Sequence, residues 1–353
     1  MSSSRRRLAG IAAAAVGTVA AGVAAGLVAE RRLVRGRRPG DVADEGFGTL
    51  HATARTVVAE DGVALHAEVD EVSTGSATGR TDKATVVFVH GYALNLDCWH
   101  FQRARFRGER RMVFYDQRCH GRSGRSAEKN ATIDQLGHDL KRVIDELAPT
   151  GELILVGHSM GGMTIMALAE HHPELFGKRV VGVGLISTTA GGLRSHALVP
   201  FIPDRLLGQI TPRLVAGLAR APGLVDGARR AGSDLGFVMT SRFAFGKEMP
   251  ASYVAFVDEM LAQTSFEVLA EFFPHFDALD KFSVLNAFGR VPTVIICGSK
   301  DRLTSIGHSR KMAKLIKGAE LVECIDAGHM VILENQEQVN TALERMIKEA
   351  DTL

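Results

Sequence analysis

Residues 152–170 have the sequence ELILVGHSMGGMTIMALAE, and the class of fold follows from them. The segment begins as an apolar run typical of a buried strand and continues, after a short turn, with the apolar period of a helix. The turn has the pattern G-x-S-x-G, formed by Gly157, Ser159 and Gly161. A strand that turns this sharply into a helix leaves no room for a Cβ two residues before or after the serine, so both glycines are expected to support the turn. The pattern predicts a strained strand–turn–helix unit that exposes Ser159 at a helix N-terminus.

Similar apolar runs occur on both sides of this unit. The dipeptide Asp61-Gly62 between two alternating segments predicts a hairpin, and therefore an antiparallel first pair of strands. The predicted strands are 56–61, 63–69, 84–91, 111–116, 152–159, 180–187, 291–299 and 319–326. Helix-period segments such as 132–147 and 160–170 alternate with them, which is typical of βαβ units. The sequence thus predicts an α/β fold with an eight-stranded, mostly parallel sheet and flanking helices.

The interval after the strand predicted at 180–187 is too long for one crossover helix. Glycine and proline punctuate its first part, and helix-period segments follow at 252–263 and 266–273. We therefore predict an inserted, mainly helical cap over the sheet. The predicted domains are an N-terminal segment (1–40), the first part of an α/β core (50–189), the cap (190–285) and the second part of the core (286–353).

The composition excludes several classes of protein. The chain has 353 residues, of which 46% are hydrophobic and 23% charged, so it can bury a large core and is not disordered as a whole. Eight arginines and one glutamate lie within residues 1–40, which leaves a formal charge of −5 on the rest and argues against nucleic-acid binding. The four cysteines form no C-x-x-C pair, and no Cys/His cluster has zinc-ligand spacing. We predict neither a metal nor a cofactor.

An acid and a base follow the last two predicted strands. Asp301 comes directly after the strand at 291–299, and His329 follows the next one. A serine hydroxyl is a poor nucleophile near neutral pH, so His329 is predicted to remove its proton and Asp301 to orient the imidazole. The chain order serine, aspartate, histidine, each on a loop after a strand, is the order of an α/β-sheet hydrolase triad. The rival acid, Asp326, lies too close to His329 along the chain to orient it well.

A second turn, His90-Gly91-Tyr92, ends the strand predicted at 84–91. A tetrahedral intermediate needs at least two preorganised N–H donors. The backbone N–H groups of Tyr92 and Met160, one at each strand end, are predicted to supply them. We expect Gly91 to support this turn and His90 to organise it by hydrogen bonding rather than to transfer protons.

These motifs resemble those of the α/β-hydrolase fold superfamily over about residues 55–350, specifically its capped Ser-Asp-His lipases and esterases of the monoacylglycerol-lipase-like type. The segment YDQRCHGRSG (115–124) resembles a conserved loop of that family, with Cys119 where glycine is more usual. The resemblance implies a serine hydrolase that cleaves small-molecule or lipid carboxylic esters with an apolar acyl part, through an acyl-enzyme on Ser159. Epoxide hydrolases and haloalkane dehalogenases share the fold but use an aspartate nucleophile, so Ser159 argues against both.

Two other hypotheses stay open at this point. The same triad serves cofactor-free haloperoxidases or perhydrolases, acyltransferases, thioesterases and carbon–carbon bond hydrolases, because the pocket selects the leaving group and the acceptor. A membrane-tethered binding protein on an inactive hydrolase fold is the non-enzymatic hypothesis, and the complete triad argues against it.

Residues 8–29 (LAGIAAAAVGTVAAGVAAGLVA) are uncharged and lie between Arg5–Arg7 and an arginine-rich run at 31–38. A helix over them, at about 1.5 Å per residue, is long enough to cross a bilayer. We predict a single membrane anchor, with the heavier positive flank after it weakly favouring a cytoplasmic catalytic domain. The alternatives are a cleaved export signal and a tail that stays in the cytosol.

Overall fold

The computed structural model describes residues 46–73, 83–193 and 240–352, and the strands within them form one eight-stranded sheet. The strands are β1 (Ala54–Val58), β2 (Ala64–Asp70), β3 (Thr85–Val89), β4 (Met112–Tyr115), β5 (Leu153–His158), β6 (Val180–Ile186), β7 (Thr293–Gly298) and β8 (Glu320–Cys324). Their order in the sheet is β1-β2-β4-β3-β5-β6-β7-β8. Strand β2 is antiparallel to both its neighbours, and the other pairs are parallel. The predicted α/β fold with a mostly parallel, eight-stranded sheet is confirmed.

The central strands are apolar along their whole length because both faces of the sheet are covered. Every residue of β3, β4, β5, β6 and β7 is buried. Strands enclosed on both faces lose the alternation of apolar and polar residues that a half-exposed strand shows. This burial explains why continuous apolar runs located these strands in the sequence.

Helices cover the two faces of the sheet. They are α1 (His100–Phe106), α2 (Ile133–Leu147), α3 (Met160–His171), α4 (Ala251–Gln263), α5 (Phe266–Asp277), α6 (Leu285–Phe288), α7 (Ile306–Leu315), α8 (Val331–Glu334) and α9 (Gln336–Ala350). One apolar cluster joins α1, α4 and α9 to one face of the sheet, and a second joins α2, α3 and α7 to the other. Helices α2 and α3 approach each other closely at Gly137, where a Cβ would lie 2.8 Å from that of Ala167.

Helices α4 and α5 occupy the helix-period segments of the predicted cap. Their buried residues do not form a core of their own. Phe256 of α4 belongs to the cluster that contains Trp99, and Phe272 of α5 belongs to a third cluster with Met160 and Met163 of α3. Residues 194–239 of the predicted cap lie outside the described residues, and the division of the chain into core and cap stays a prediction.

The helices of the structure contradict the prediction that this protein is located at a membrane. Within residues 46–73, 83–193 and 240–352, no helix has the length and apolar character needed to cross a bilayer. The longest helices there, α2 and α9, have 15 residues each, whereas a span takes about 20. Residues 8–29, for which the anchor was predicted, lie outside the described residues.

Candidate active site

Ser159 lies on the turn between β5 and α3, half-buried, with a backbone φ of 52° and ψ of −118°. Residues other than glycine rarely adopt such a conformation, which the surrounding structure must hold in place. Two hydrogen bonds do so: the N–H of Ser159 donates to the carbonyl of Ile186 (2.9 Å), and the Thr188 hydroxyl donates to the carbonyl of Ser159 (2.7 Å). The structure thus places the serine in the strained turn that the pattern predicts.

The two glycines of the turn lie where a side chain has no room. A Cβ on Gly157 would lie 2.5 Å from the carbonyl carbon of Gly161, and one on Gly161 would overlap the carbonyl oxygen of Val89. Real Cβ atoms do not approach other atoms so closely. The steric reason expected for the G-x-S-x-G spacing therefore holds in the structure.

Asp301 and His329 form a buried pair on neighbouring loops. Asp301 lies on the loop that follows β7, and His329 lies on the loop that follows β8. The Nδ1 atom of His329 is 2.9 Å from Oδ2 of Asp301. The backbone N–H groups of Leu303 and Thr304 donate to the other carboxylate oxygen at 2.8 and 2.9 Å. Burial raises the pKa of the Asp301 carboxyl, but the His329 charge and these hydrogen bonds outweigh burial and lower it below its ordinary value. The carboxylate is ionised and orients the imidazole through Nδ1, which leaves Nε2 for proton transfer.

Thr304 completes this pair and was missed in the sequence. Its hydroxyl donates to Oδ2 of Asp301 at 2.9 Å and lies 3.4 Å from Nδ1 of His329. A threonine three residues after an aspartate is common in turns, so its position alone carries no signal for catalysis. Only the folded geometry shows that Thr304 contacts the same carboxylate oxygen as the ring of His329.

His158 ties the serine turn to the loop that carries His329. Its Nε2 lies 3.0 Å from the carbonyl oxygen of His329, and the two rings are 4.9 Å apart. Burial, and to a smaller extent the charge of the nearby His329, lowers the pKa of His158 to about 3. The ring is therefore neutral, and Nε2–H donates to the carbonyl. Ser159, Asp301 and His329 thus follow the carboxyl ends of β5, β7 and β8, and His158 links the serine turn to the backbone of His329.

The turn at His90–Tyr92 lies directly against the serine. A Cβ on Gly91 would be 3.2 Å from the Cβ of Ser159. Within the part of the chain that the structure describes, the backbone N–H groups of Tyr92 and Met160 donate to no carbonyl or side chain. Among the described residues these two donors are without a partner, and the oxyanion hole that the sequence predicts from them stays a prediction.

His90 organises this turn and cannot exchange protons readily. Its Nε2 accepts from the backbone N–H of Gln117 (2.8 Å), and its Nδ1–H donates to the carbonyl of Gly91 (2.7 Å). Burial, with the neighbouring His120, lowers the pKa of His90 to about 3. Gln117, which the sequence did not single out, links the His90 carbonyl to the Thr164 hydroxyl of α3 through its side-chain amide, both at 2.7 Å.

The side chain of Tyr92 joins the same turn to α5. Its half-buried hydroxyl donates to the carbonyl of Leu269 at 2.5 Å, and its ring packs edge-on against Phe276 with 5.0 Å between centroids. Burial raises the pKa of Tyr92 well above its ordinary value, so the hydroxyl keeps its proton as a donor. The position of α5 is therefore coupled to the turn that carries the predicted oxyanion donor.

The buried histidines predict a loss of stability in acid. Burial lowers the pKa of His120 to about 4, and that of His90 and His158 to about 3, from an ordinary value of 6.5. Between pH 6.5 and these lowered pKa values, each of the three histidines binds a proton in the unfolded chain but not in the folded chain. The free energy of unfolding therefore falls as the pH drops below about 6.5. We expect His120→Gln to reduce this pH slope by about one proton. Urea unfolding at pH 7, 6 and 5 measures the slopes, and equal slopes for wild type and His120→Gln would contradict the assignment.

Cys119, which replaces a more usual glycine, has a φ of 66°, the left-handed conformation that favours glycine.

Among the described residues, the side chains of Asp134, Glu170 and His171 are close enough together to hold a metal ion. The ammonium group of Lys281 donates to both of these carboxylates. This surface cluster lies at the end of α3 away from Ser159.

The chain belongs to the α/β-hydrolase fold family. The sequence profile of that family, described as alpha/beta hydrolase fold, matches residues 84–336. These residues contain the serine turn, the His90–Tyr92 turn and the Asp301–His329 pair. The family and fold expected from the motifs are confirmed, and the monoacylglycerol-lipase-like subtype stays a prediction.

Individual relatives differ in what their names describe. The chain is 28% identical over 284 residues to 3-oxoadipate enol-lactonase 2 of Acinetobacter baylyi, covering 79% of this chain and 94% of that protein. It is 26% identical over 257 residues to the dihydrolipoyllysine-residue acetyltransferase component of the acetoin cleaving system of Pseudomonas putida, where it covers 72% of this chain but only 61% of the relative's length. A solved thermophilic esterase from Thermogutta terrifontis superposes with a TM-score of 0.64, at 21% identity, over 85% of this chain and all of its own. This likeness shows the fold.

Proposed function

We propose that this protein is a serine hydrolase that cleaves carboxylic esters with an apolar acyl part. The observation that carries the proposal is the ionised Asp301 carboxylate, 2.9 Å from the ring of His329, whose carbonyl is linked by His158 to the strained turn of Ser159. The names of an enol-lactonase among the sequence relatives and of an esterase among the solved structures agree with hydrolysis of an ester bond.

The reaction begins with the serine hydroxyl. Ser159 Oγ attacks the ester carbonyl carbon while Nε2 of His329 takes the hydroxyl proton, and the carbonyl electrons move onto the oxygen. The backbone N–H groups of Tyr92 and Met160 donate to this oxyanion. When the tetrahedral intermediate collapses, the imidazolium returns its proton to the alcohol, which leaves.

The second half of the reaction releases the acid. A water molecule attacks the acyl-enzyme while His329 takes its proton, and the second tetrahedral intermediate expels Ser159 Oγ, which recovers the proton from the imidazolium. Throughout both halves Asp301 stays ionised and holds the ring in one tautomer. Its lowered pKa supports this role, because a proton on the carboxylate would remove the orienting hydrogen bond.

Apolar side chains beside the turn support an apolar acyl part. Met160 and Met163 of α3 pack with Phe272 and Phe276 of α5, and Tyr92 packs against this cluster. These side chains are buried against one another, so an acyl group that lies against the cluster adds apolar contact, at roughly 25 cal/mol per Å² of apolar area removed from water. Ser159 itself, in place of an aspartate, argues against the epoxide-opening chemistry named for other relatives.

A panel of p-nitrophenyl esters from acetate to palmitate tests the proposal, with water, methanol and hydrogen peroxide as competing acceptors. We expect the wild-type chain to release the carboxylic acid, with kcat/KM rising from acetate to longer acyl chains. Formation of the methyl ester or the peracid at the expense of the acid would favour the acyltransferase or perhydrolase alternative. A folded wild-type protein that turns over none of these esters would contradict the proposal and favour a binding protein.

A further inference from the structure

Glu334, at the end of α8, is a buried carboxylate with an unusual set of partners. Its side chain is 5% exposed and accepts from three backbone N–H groups: Gly328 at 2.6 Å, Lys247 at 2.9 Å, and Gly246 at 3.1 and 3.2 Å to the two oxygens. Among the described residues, no cationic side chain bonds to the carboxylate. Burying a charge is costly unless strong hydrogen bonds offset it, so this carboxylate is retained for the bonds it makes.

The partners of Glu334 belong to two segments far apart in the sequence. Gly328 lies in the base loop, which we define as residues 325–330 between β8 and α8. Gly246 and Lys247 belong to the predicted cap, in a segment that we call the cap contact (residues 244–247). The two backbones touch, because a Cβ on Gly246 would lie 2.5 Å from the carbonyl carbon of Ala327. The Glu334 carboxylate therefore holds the cap contact against the base loop.

The same contacts fix the backbone around His329 on both sides. The N–H before it, at Gly328, donates to Glu334, and the N–H after it, at Met330, donates to the carbonyl of Ala244 at 2.8 Å. The carbonyl of His329 accepts from His158 at 3.0 Å. Three successive residues are thus held by groups from the cap contact, α8 and the serine turn, so the direction of the imidazole depends on all three.

We propose that Glu334 is a positioning residue of the active site, whose carboxylate locks the base loop to the cap contact and so sets the distance between His329 and Ser159. This inference rests on the proposed function, since it assigns Glu334 a role in proton transfer through His329. A carboxylate that served only to stabilise the fold would affect the folded fraction but not the rate of the folded enzyme.

Glu334→Gln separates the two roles. Glutamine has nearly the same size, but its NH2 group replaces one acceptor oxygen, so one backbone N–H of the base loop or the cap contact loses its partner. Glu337→Gln is the matched control, because Glu337 is exposed three residues further on and the substitution removes the same charge. Glu334→Asp keeps the charge and both acceptor oxygens but is one methylene shorter, so its hydrogen bonds to the two segments are longer and weaker.

The readouts are kcat, KM and the rate constant of labelling by a fluorophosphonate, measured at a temperature at which circular dichroism shows each variant to be folded. A misplacement of about 1 Å costs roughly 100-fold in rate, so we expect Glu334→Gln to lower kcat and the labelling rate about 30-fold with KM within about twofold. We expect Glu334→Asp to fall between this variant and wild type, and Glu337→Gln to match wild type. If Glu334→Gln does not fold, Glu334→Asp decides by the same readouts.

Two results would overturn the inference. One is a labelling rate of folded Glu334→Gln equal to that of Glu337→Gln. The other is a loss of activity that only follows the unfolded fraction. Failure of the proposed function is distinguishable from both of these results. In that case the wild type shows no labelling, or its labelling persists in Ser159→Ala.

Discussion

Replacing Ser159 with alanine is expected to lower ester turnover by at least about 10⁴-fold, because the variant has no nucleophile to form the acyl-enzyme. The fold should be unaffected. The turn is held by backbone groups of Ser159 and by the absence of side chains at Gly157 and Gly161, none of which the substitution changes. We therefore expect the free energy of unfolding to stay within about 0.5 kcal/mol of wild type.

The control for this substitution is Ser283→Ala, which removes a hydroxyl from an exposed serine in the turn before α6. We expect it to keep full activity. Turnover and urea unfolding of both variants, measured beside wild type, make the comparison. Retained hydrolysis of the esters by Ser159→Ala would show that another group attacks the carbonyl.

Asp301→Asn is expected to lower kcat by roughly 10⁴-fold, because it changes which ring nitrogen of His329 carries the proton. The N–H groups of Leu303 and Thr304 donate to one carboxylate oxygen, so the asparagine must place its carbonyl there. Its NH2 group then faces Nδ1 of His329 and donates to it. The imidazole proton moves to Nε2, which can no longer accept the proton of Ser159.

Asp326→Asn is the matched control, because it makes the same substitution on the rival acid of the base loop. Asp326 is exposed, pairs with Lys300 at 2.8 Å and forms no hydrogen bond or ion pair with the ring of His329 in the described structure. Its φ of 62° also suits asparagine. We expect kcat of Asp326→Asn to stay within about twofold of wild type. A larger loss for Asp326→Asn than for Asp301→Asn would reverse the assignment of the acid.

Local patterns allowed the strands and the serine turn to be predicted closely. The strand predicted at 152–159 is β5 at Leu153–His158, because a strand covered on both faces is mostly apolar. The conformation of Ser159 followed from the glycine spacing, which is itself a local steric requirement. Asp301 and His329 could be paired because the carboxyl ends of parallel strands lie at one edge of a sheet.

Long-range partners could not be predicted in this way. The insertion of β4 between β2 and β3 depends on which strands pair, and no local pattern encodes it. Glu334 bonds to residues 87 and 88 positions away, and Gln117 reaches the carbonyl of a histidine 27 positions before it. Their roles come from tertiary contacts. The membrane prediction rested on length and apolarity within residues 8–29 alone, and the described helices gave it no support.

Labelling with a fluorescent fluorophosphonate, followed by mass spectrometry of the labelled peptide, tests the central claim most directly. The probe reacts with a serine whose proton is taken by an adjacent base, so it reports on the Ser159–His329–Asp301 arrangement without any choice of substrate. We predict one adduct per chain, on Ser159, that disappears in Ser159→Ala and forms far more slowly in Asp301→Asn. An adduct on another serine, or no adduct on the folded wild-type protein, would contradict the account.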